Sequence, residues 1–267
     1  MSAFANLKPA GVRLQAEPRR KFLSDIVIDY GPVDVLGRLF LKADTELAMK
    51  GVELTFCSLE ELKRVNLENS ETWRPLMSLF DHETTPVAPE NAFAMLARDA
   101  KGDVIAAQGG LLYSVTRGTL RDELESLRLL YKDPAMAWPG ESARITAPKA
   151  AQMAGRLAFV GGVWYRPDWR GKGLNGPMGR INRAYAFTRW YADYAFSFMV
   201  DHLVEAQFAE KAGWPHCEWA VELTNVPVLR GRSMKLALIW TDVEEQLAHF
   251  AEYVERGSMR GPRVAMG

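Results

Sequence analysis

The stretch Phe159-Val-Gly-Gly-Val-Trp-Tyr-Arg-Pro-Asp-Trp-Arg-Gly-Lys-Gly-Leu-Asn-Gly-Pro-Met-Gly179 carries a strand, a turn and the start of a helix in succession. Leu157–Tyr165 is apolar and β-branched or aromatic, which predicts a strand. Pro167 ends ladder pairing there, because proline has no N–H to give. Arg170-Gly171-Lys172-Gly173 follows, and a helical pattern then runs from about Leu174 to Tyr191. Strand, glycine-rich turn and helix aim several free backbone N–H groups at one point. The helix N-terminus adds partial positive charge, so the spot suits a phosphate or pyrophosphate. The glycines permit close backbone approach, while Arg170 and Lys172 supply mobile charge. A Gly-Lys-Gly in this position is also compatible with a plain turn. The spacing is neither that of a Walker loop nor that of the dinucleotide fingerprint.

The flanking residues add specificity. Val163-Trp164-Tyr165-Arg166-Pro167 followed by Arg170-Gly171-Lys172-Gly173-Leu174 resembles the acetyl-CoA-binding core of the GNAT acyltransferases: a strand with Val-x-x-x-Pro, then Arg-Gly-x-Gly, then a long helix. A second signature of that family, Lys-x-Gly-aromatic closing a short helix, is matched by Glu210-Lys211-Ala212-Gly213-Trp214. The resemblance implies an α/β (α+β) fold with a central mixed seven-stranded sheet flanked by helices. It also implies acetyl-CoA or another acyl-CoA as co-substrate, no metal, and a small-molecule amine as acceptor. By the same resemblance Arg170, Gly171, Lys172, Gly173, Leu174 and Asn175 hold the diphosphate. Two strands splay apart, and the pantetheine arm bonds to backbone near Val163 and Tyr165. Gly161-Gly162 is consistent with a bulge that opens the gap, or with a simple packing pair.

Two departures from the family pattern stand out. Ala209 occupies the position of the usual general-acid tyrosine, and Asp168 places a carboxylate beside the expected pyrophosphate unless Arg166 or Arg170 pairs with it. The proton chemistry then falls to other groups. Tyr165 is a candidate acid. His202 and Glu205, with Asp201 and Glu83 beside them, are candidate bases for the acceptor ammonium. His202 and Glu205 follow the next strand, and open α/β sites lie at carboxyl ends of strands. Three readings stay open: an N-acyltransferase for a small amine, an acyltransferase with a longer chain on CoA or a carrier protein, and a non-catalytic acyl-CoA-binding module.

Composition is compatible with all three. The 267 residues are 48% hydrophobic and 25% charged, as in a globular protein with a full core. The 33 basic and 33 acidic side chains cancel, which argues against nucleic acid as the main partner. No apolar run reaches membrane-spanning length and no signal peptide opens the sequence, so no membrane partner is expected. Two cysteines make no disulfide framework, and a cytoplasmic setting with free thiols is the expectation. Cys57 is read as buried filler. His82, His202, His216 and His249 lack metal spacing, and no metal site is expected.

The expected organisation is an N-terminal extension over 1–50, a core over 51–242 and a C-terminal helix and tail over 243–267. In the extension, Arg19-Arg20-Lys21 reads as a solvated arm and Val33–Lys50 as a helix. Val52–Cys57 reads as a strand and Ser58-Leu59-Glu60-Glu61 as a capping box. A helix to about Leu67 and a second over about Glu71–Phe80 follow. Ala92–Arg98 and Val104–Val115 form a hairpin through Asp99–Asp103. Thr116–Arg156 is an insertion relative to the family core, with a helix over Leu120–Tyr131. It is either a packing or homodimer surface or a wall of the acceptor pocket. Tyr194–Val200, His216–Leu223 and Met234–Thr241 read as further strands, the first parallel to Leu157–Tyr165. Asp242 caps a last helix to about Val254, before a loose tail over Ser258–Gly267.

Overall fold

A computed structural model describes residues 22–258. The Arg19-Arg20-Lys21 cluster and the tail from Met259 lie outside the described residues. One mixed sheet of eight strands runs through the molecule in the order β1-β2-β3-β5-β6-β8-β7-β4. The strands are β1 (Glu53–Cys57), β2 (Ala92–Arg98), β3 (Val104–Val115), β4 (Ser142–Ile145), β5 (Gly155–Tyr165), β6 (Tyr194–Met199), β7 (His216–Val226) and β8 (Arg232–Asp242). All neighbours are antiparallel except β5 and β6, whose parallel pairing follows from the helix crossing between them.

The helices are α1 (Val33–Ala48), α2 (Leu59–Glu68), α3 (Leu120–Glu125), α4 (Asn175–Trp190), α5 (Asp201–Glu205), α6 (Phe208–Ala212) and α7 (Val243–Ser258). Strand alternation splits the core into two layers. On one face Leu36, Leu39 and Leu47 of α1 meet Met178, Ile181 and Phe187 of α4 over Ala158 and Val160 of β5. On the other face α2, the following loop and the insertion cover Phe159, Phe196 and Trp164. Gly51 takes φ +71° just past α1, and Gly102 takes φ +87° in the β2–β3 turn, both as expected of glycine there.

Several expectations require correction. The sheet has eight strands rather than seven, because the insertion supplies β4, which pairs Ala143 with Leu223 at the sheet edge. Glu71–Phe80 is not a helix. Only Ser78–Phe80 makes a single 3-10 turn, since Pro75 lacks an N–H and excludes helical geometry at Arg74. The helix expected over Leu120–Tyr131 stops at Glu125, and Leu127 then turns left-handed at φ +62°. Ser58 does cap α2 by accepting from the Glu61 N–H at 3.1 Å, but the Glu61 carboxylate faces Arg64 and Arg98 instead of closing a box. A reciprocal box forms at Thr119 and Asp122, which open α3. Cys57 is half-buried, and burial pushes its thiol up to about 12, consistent with an inert side chain.

Candidate active site

The site begins where β5 and β6 part company. Their register holds for three pairs only, Leu157 with Tyr194, Ala158 with Ala195 and Phe159 with Phe196. β5 continues to Tyr165 paired with β3 alone, and β6 continues to Met199 paired with β8 alone. Beyond Phe159 each strand therefore presents an unpaired backbone edge to the other, which is costly unless something fills the gap.

A bulge drives the separation. Gly162 and Val163 both oppose Gln108 of β3, between the pairs Gly109–Gly161 and Ala107–Trp164. Gly162 takes φ +63°, which a side chain would strain, and the extra residue turns Val163 outward to 44% exposure. The ring of Phe80 closes the bulge from below, with its edge 3.4 Å from where a Gly162 Cβ would lie.

At the open end the chain enters the glycine loop. Gly171 and Gly173 take φ +74° and +73°. A Cβ on Gly171 would meet open space, so the loop backbone is accessible from outside. Leu174, 2% exposed, anchors the loop in the core and stands at the N-cap of α4, where it offers no side-chain acceptor. Asn175 and Gly176 open the helix with N–H groups that have no intrahelical acceptor, whereas Pro177 has no N–H to offer. Lys172 Nζ rests 4.3 Å from the Trp169 ring centroid. Arg170 Nε donates to the Tyr165 carbonyl at 3.1 Å. Lys50, at the end of α1, brings its ammonium within 3.7 Å of the Gly173 Cβ position. Nothing in the sequence around Lys50 signals that proximity, because the contact joins residues far apart in the chain.

Asp168 is paired with Arg166, whose one guanidinium also serves Asp99 and, at 3.6 Å, Asp103. Arg166 grips it with Nε–Oδ1 at 2.8 Å and Nη2–Oδ2 at 3.1 Å, and also meets Asp99 at 3.2 Å. The guanidinium holds the Asp168 carboxyl below its ordinary value.

Tyr165 ends β5 on the helix-covered face. Its hydroxyl accepts from Gln108 Nε2 at 3.0 Å, and Gln108 Oε1 in turn accepts from Asn182 Nδ2 at 3.1 Å. Gln108 and Asn182 are 1% and 2% exposed, so this chain ties β3, β5 and α4 together in the core. Burial holds the phenol well above its ordinary value. His202 and Glu205 lie on α5, directly after the carboxyl end of β6, with exposed side chains. The His202 N–H donates to Asp201 Oδ1 at 2.8 Å. No hydrogen bond joins either residue to Tyr165 among the described residues. Glu83, the remaining acid considered, is bound to Lys63.

The second motif packs against the middle of α4. Gly213 closes α6 at φ +78°. Arg183 of α4, 1% exposed, donates to the Ala212 carbonyl at 2.6 Å and stacks 4.5 Å from the Trp214 ring. Ala209, at the position where the resemblance implies a tyrosine, is buried at 4%. Burial and the nearby Arg183 lower His249 of α7, whose ring lies where a Gly213 side chain would be, to about 4.

The chain is similar to solved acetyltransferase structures. A mutant of the SpeG spermidine N-acetyltransferase from Vibrio cholerae matches at 13% identity over 74% of this chain and 97% of that one, with a TM-score of 0.44. NAA60 from Arabidopsis thaliana in complex with acetyl-CoA matches at 11% identity over 72% of this chain and 99% of that one, at 0.44. The aminoglycoside acetyltransferase AAC(6')-Ib in complex with coenzyme A and kanamycin matches at 14% identity over 73% and 96%, at 0.40. No protein-family model and no curated protein matches the chain. Among the described residues no helix is long and apolar enough to cross a membrane, and no group of three His, Cys, Asp or Glu is placed to hold a metal.

Proposed function

We propose that the chain is a GNAT-type N-acyltransferase that moves an acetyl group from acetyl-CoA to the amine of a small molecule. The observation that carries this reading is the splay of β5 from β6 after Phe159, with the Gly171–Gly173 loop and the uncapped α4 N-terminus at its open end. A phosphate-bearing arm can lay its anionic end on the loop and run its amide-bearing end along the unpaired β5 edge, as an added strand does.

The chemistry follows from that placement. The acceptor nitrogen attacks the thioester carbonyl, and a β5 backbone N–H beside Val163 stabilises the oxyanion. The C–S bond then breaks. Tyr165, protonated throughout the neutral range, gives its proton to the departing thiolate. The proton of the new ammonium leaves through water to His202 or Glu205 at the end of β6. Amide and free CoA thiol are the products. The rings of Phe159, Phe196 and Phe198 pack against one another behind the two strands, with centroids 5.2–5.9 Å apart, which favours a short acyl group over a long one.

Titration calorimetry with acetyl-CoA and with a long-chain acyl-CoA, followed by thiol release over an amine panel, tests the proposal. The expected result is saturable acetyl-CoA binding and amine-dependent thiol release. Tighter binding of the long chain would redirect the reading to a longer donor, binding without release to a non-catalytic module, and no binding to either thioester would overturn it.

A further inference from the structure

On the sheet face opposite α4, a cavity of about 230 Å³ opens between the loop after α2, the insertion and the far end of β7. Its volume is at the small end for ligand sites. The walls are mostly apolar, with Leu76, Met77 and Val228 among them, and Trp138 at the rim is 48% exposed. Ser78 and Asp81 line the cavity, and Phe80, between them in sequence, packs on the Gly161–Gly162 bulge.

Two carboxylates face this space, and they differ. Asp81 is already paired with Lys63 at 2.9 Å. Glu141 accepts from the Tyr131 hydroxyl at 2.9 and 3.0 Å and from the backbone N–H of Trp138 at 3.0 Å. Those donors are neutral, and no cation pairs with Glu141 among the described residues. They fix the carboxylate in place without discharging it. A fixed anion and an accessible indole lining the same mostly apolar cavity suit a cation on a hydrocarbon body. An amine held as an ammonium by Glu141 cannot also be the nucleophile, because its lone pair carries the proton. The group at Glu141 is therefore not the group acylated at the bulge.

We propose that the insertion builds an acceptor pocket for a diamine, with one cationic group seated against Glu141 and Trp138 and the other amine delivered neutral to the thioester. The delivery step rests on the acyltransferase reading, whereas the cation site does not. Glu141 and Trp138 are specificity residues here, remote from the reacting atoms.

The test is calorimetry on the full chain without acetyl-CoA, using diaminobutane, diaminohexane and xylylenediamine, each against the monoamine of the same skeleton. At least one diamine should bind about tenfold more tightly than its monoamine, a preference of the size a charge-assisted contact gives. Glu141→Gln, which keeps an acceptor for Tyr131, should remove that preference, and Trp138→Ala, at an exposed position, should weaken it several-fold. Neither variant should change acetyl-CoA affinity. Equal binding of every diamine and its monoamine, or a preference that survives Glu141→Gln, overturns the proposal. Diamine selectivity without acetyl-CoA binding would keep the cation site while defeating the acyltransferase reading, so the two failures are distinguishable.

Discussion

On the proposed reading, the loop between β5 and α4 would meet its ligand with backbone, whereas the insertion cavity would meet its ligand with side chains. On the loop side the working parts are φ values near +74° at Gly171 and Gly173, an uncapped helix end and an unpaired strand edge. On the other side they are Trp138, Glu141 and Tyr131, held on a segment whose only regular pieces are short. Backbone sites need particular local conformations, which particular residues encode. Side-chain sites need only that distant segments meet, and many sequences achieve that. The loop side should accordingly fail sharply and locally, and the wall should fail through its packing.

Gly173→Trp is expected to produce the largest effect on ligand binding. It puts a bulky side chain on a left-handed residue in the mouth of the cradle, beside the Lys50 ammonium. Acetyl-CoA affinity should fall on the order of 100-fold or more, since misplacement at a positioned site is that severe. Because the loop is exposed, the melting temperature should stay within a few degrees. Calorimetry beside a thermal melt checks both, and unchanged affinity would remove the loop from the site.

Trp164→Ala probes the other side. Trp164, 4% exposed, stacks on Trp73 at 4.8 Å and donates from its indole N–H to the Thr72 carbonyl at 3.3 Å. This pair pins the loop after α2, one wall of the acceptor cavity, to β5. Truncation should cost about 3–5 kcal/mol of stability in denaturant melts. At a permissive temperature the acceptor KM should rise while acetyl-CoA affinity changes little. Equal loss of both ligands would mean that the two sides are one unit.

Legibility in the sequence divides along the same line. Pro167, the Gly171–Gly173 pair and the Gly161-Gly162 bulge act through local conformation, so the sequence of one segment was enough to place them. The parallel pairing of β5 and β6 followed from the crossover. The loop after α2 misled because Trp73, Leu76, Met77 and Phe80 have helical spacing yet bury against different partners, with Pro75 among them. β4 was hidden because four residues with two buried carry too short a period to read. Lys50 and the Tyr165–Gln108–Asn182 chain were hidden because they depend on contacts between remote segments.

Tyr165→Phe separates chemistry from binding. The ring fills the same space and leaves Gln108 still bonded to Asn182, so the fold and acetyl-CoA affinity should hold. Loss of the phenol proton should lower kcat roughly 10- to 100-fold, at or below the low end for general acid catalysis, because water substitutes in part. An unchanged kcat would leave the hydroxyl as a structural link only.

The smallest effect tests how tightly the junction of α4, α6 and α7 is built. His249 lies against Gly213 with Arg183 and Arg180 nearby, and it titrates at about 4 in the fold against 6.5 as its ordinary value. Its folded value is depressed mainly by burial. Above 6.5 both folded and unfolded chains hold it neutral, so stability is at its full level. As pH falls from 6.5 towards 4 the unfolded chain takes a proton that the folded chain refuses, and stability is lost across that window. The ring is partly exposed, so solvent screening limits the loss to about 1 kcal/mol at pH 5. Urea melts at pH 7 and pH 5 should show that decrement in the native chain and a smaller one in His249→Gln, which does not titrate. An equal decrement in both would place the pH sensitivity elsewhere. It would also mean that the junction of α4, α6 and α7 is loose enough to admit a charged ring.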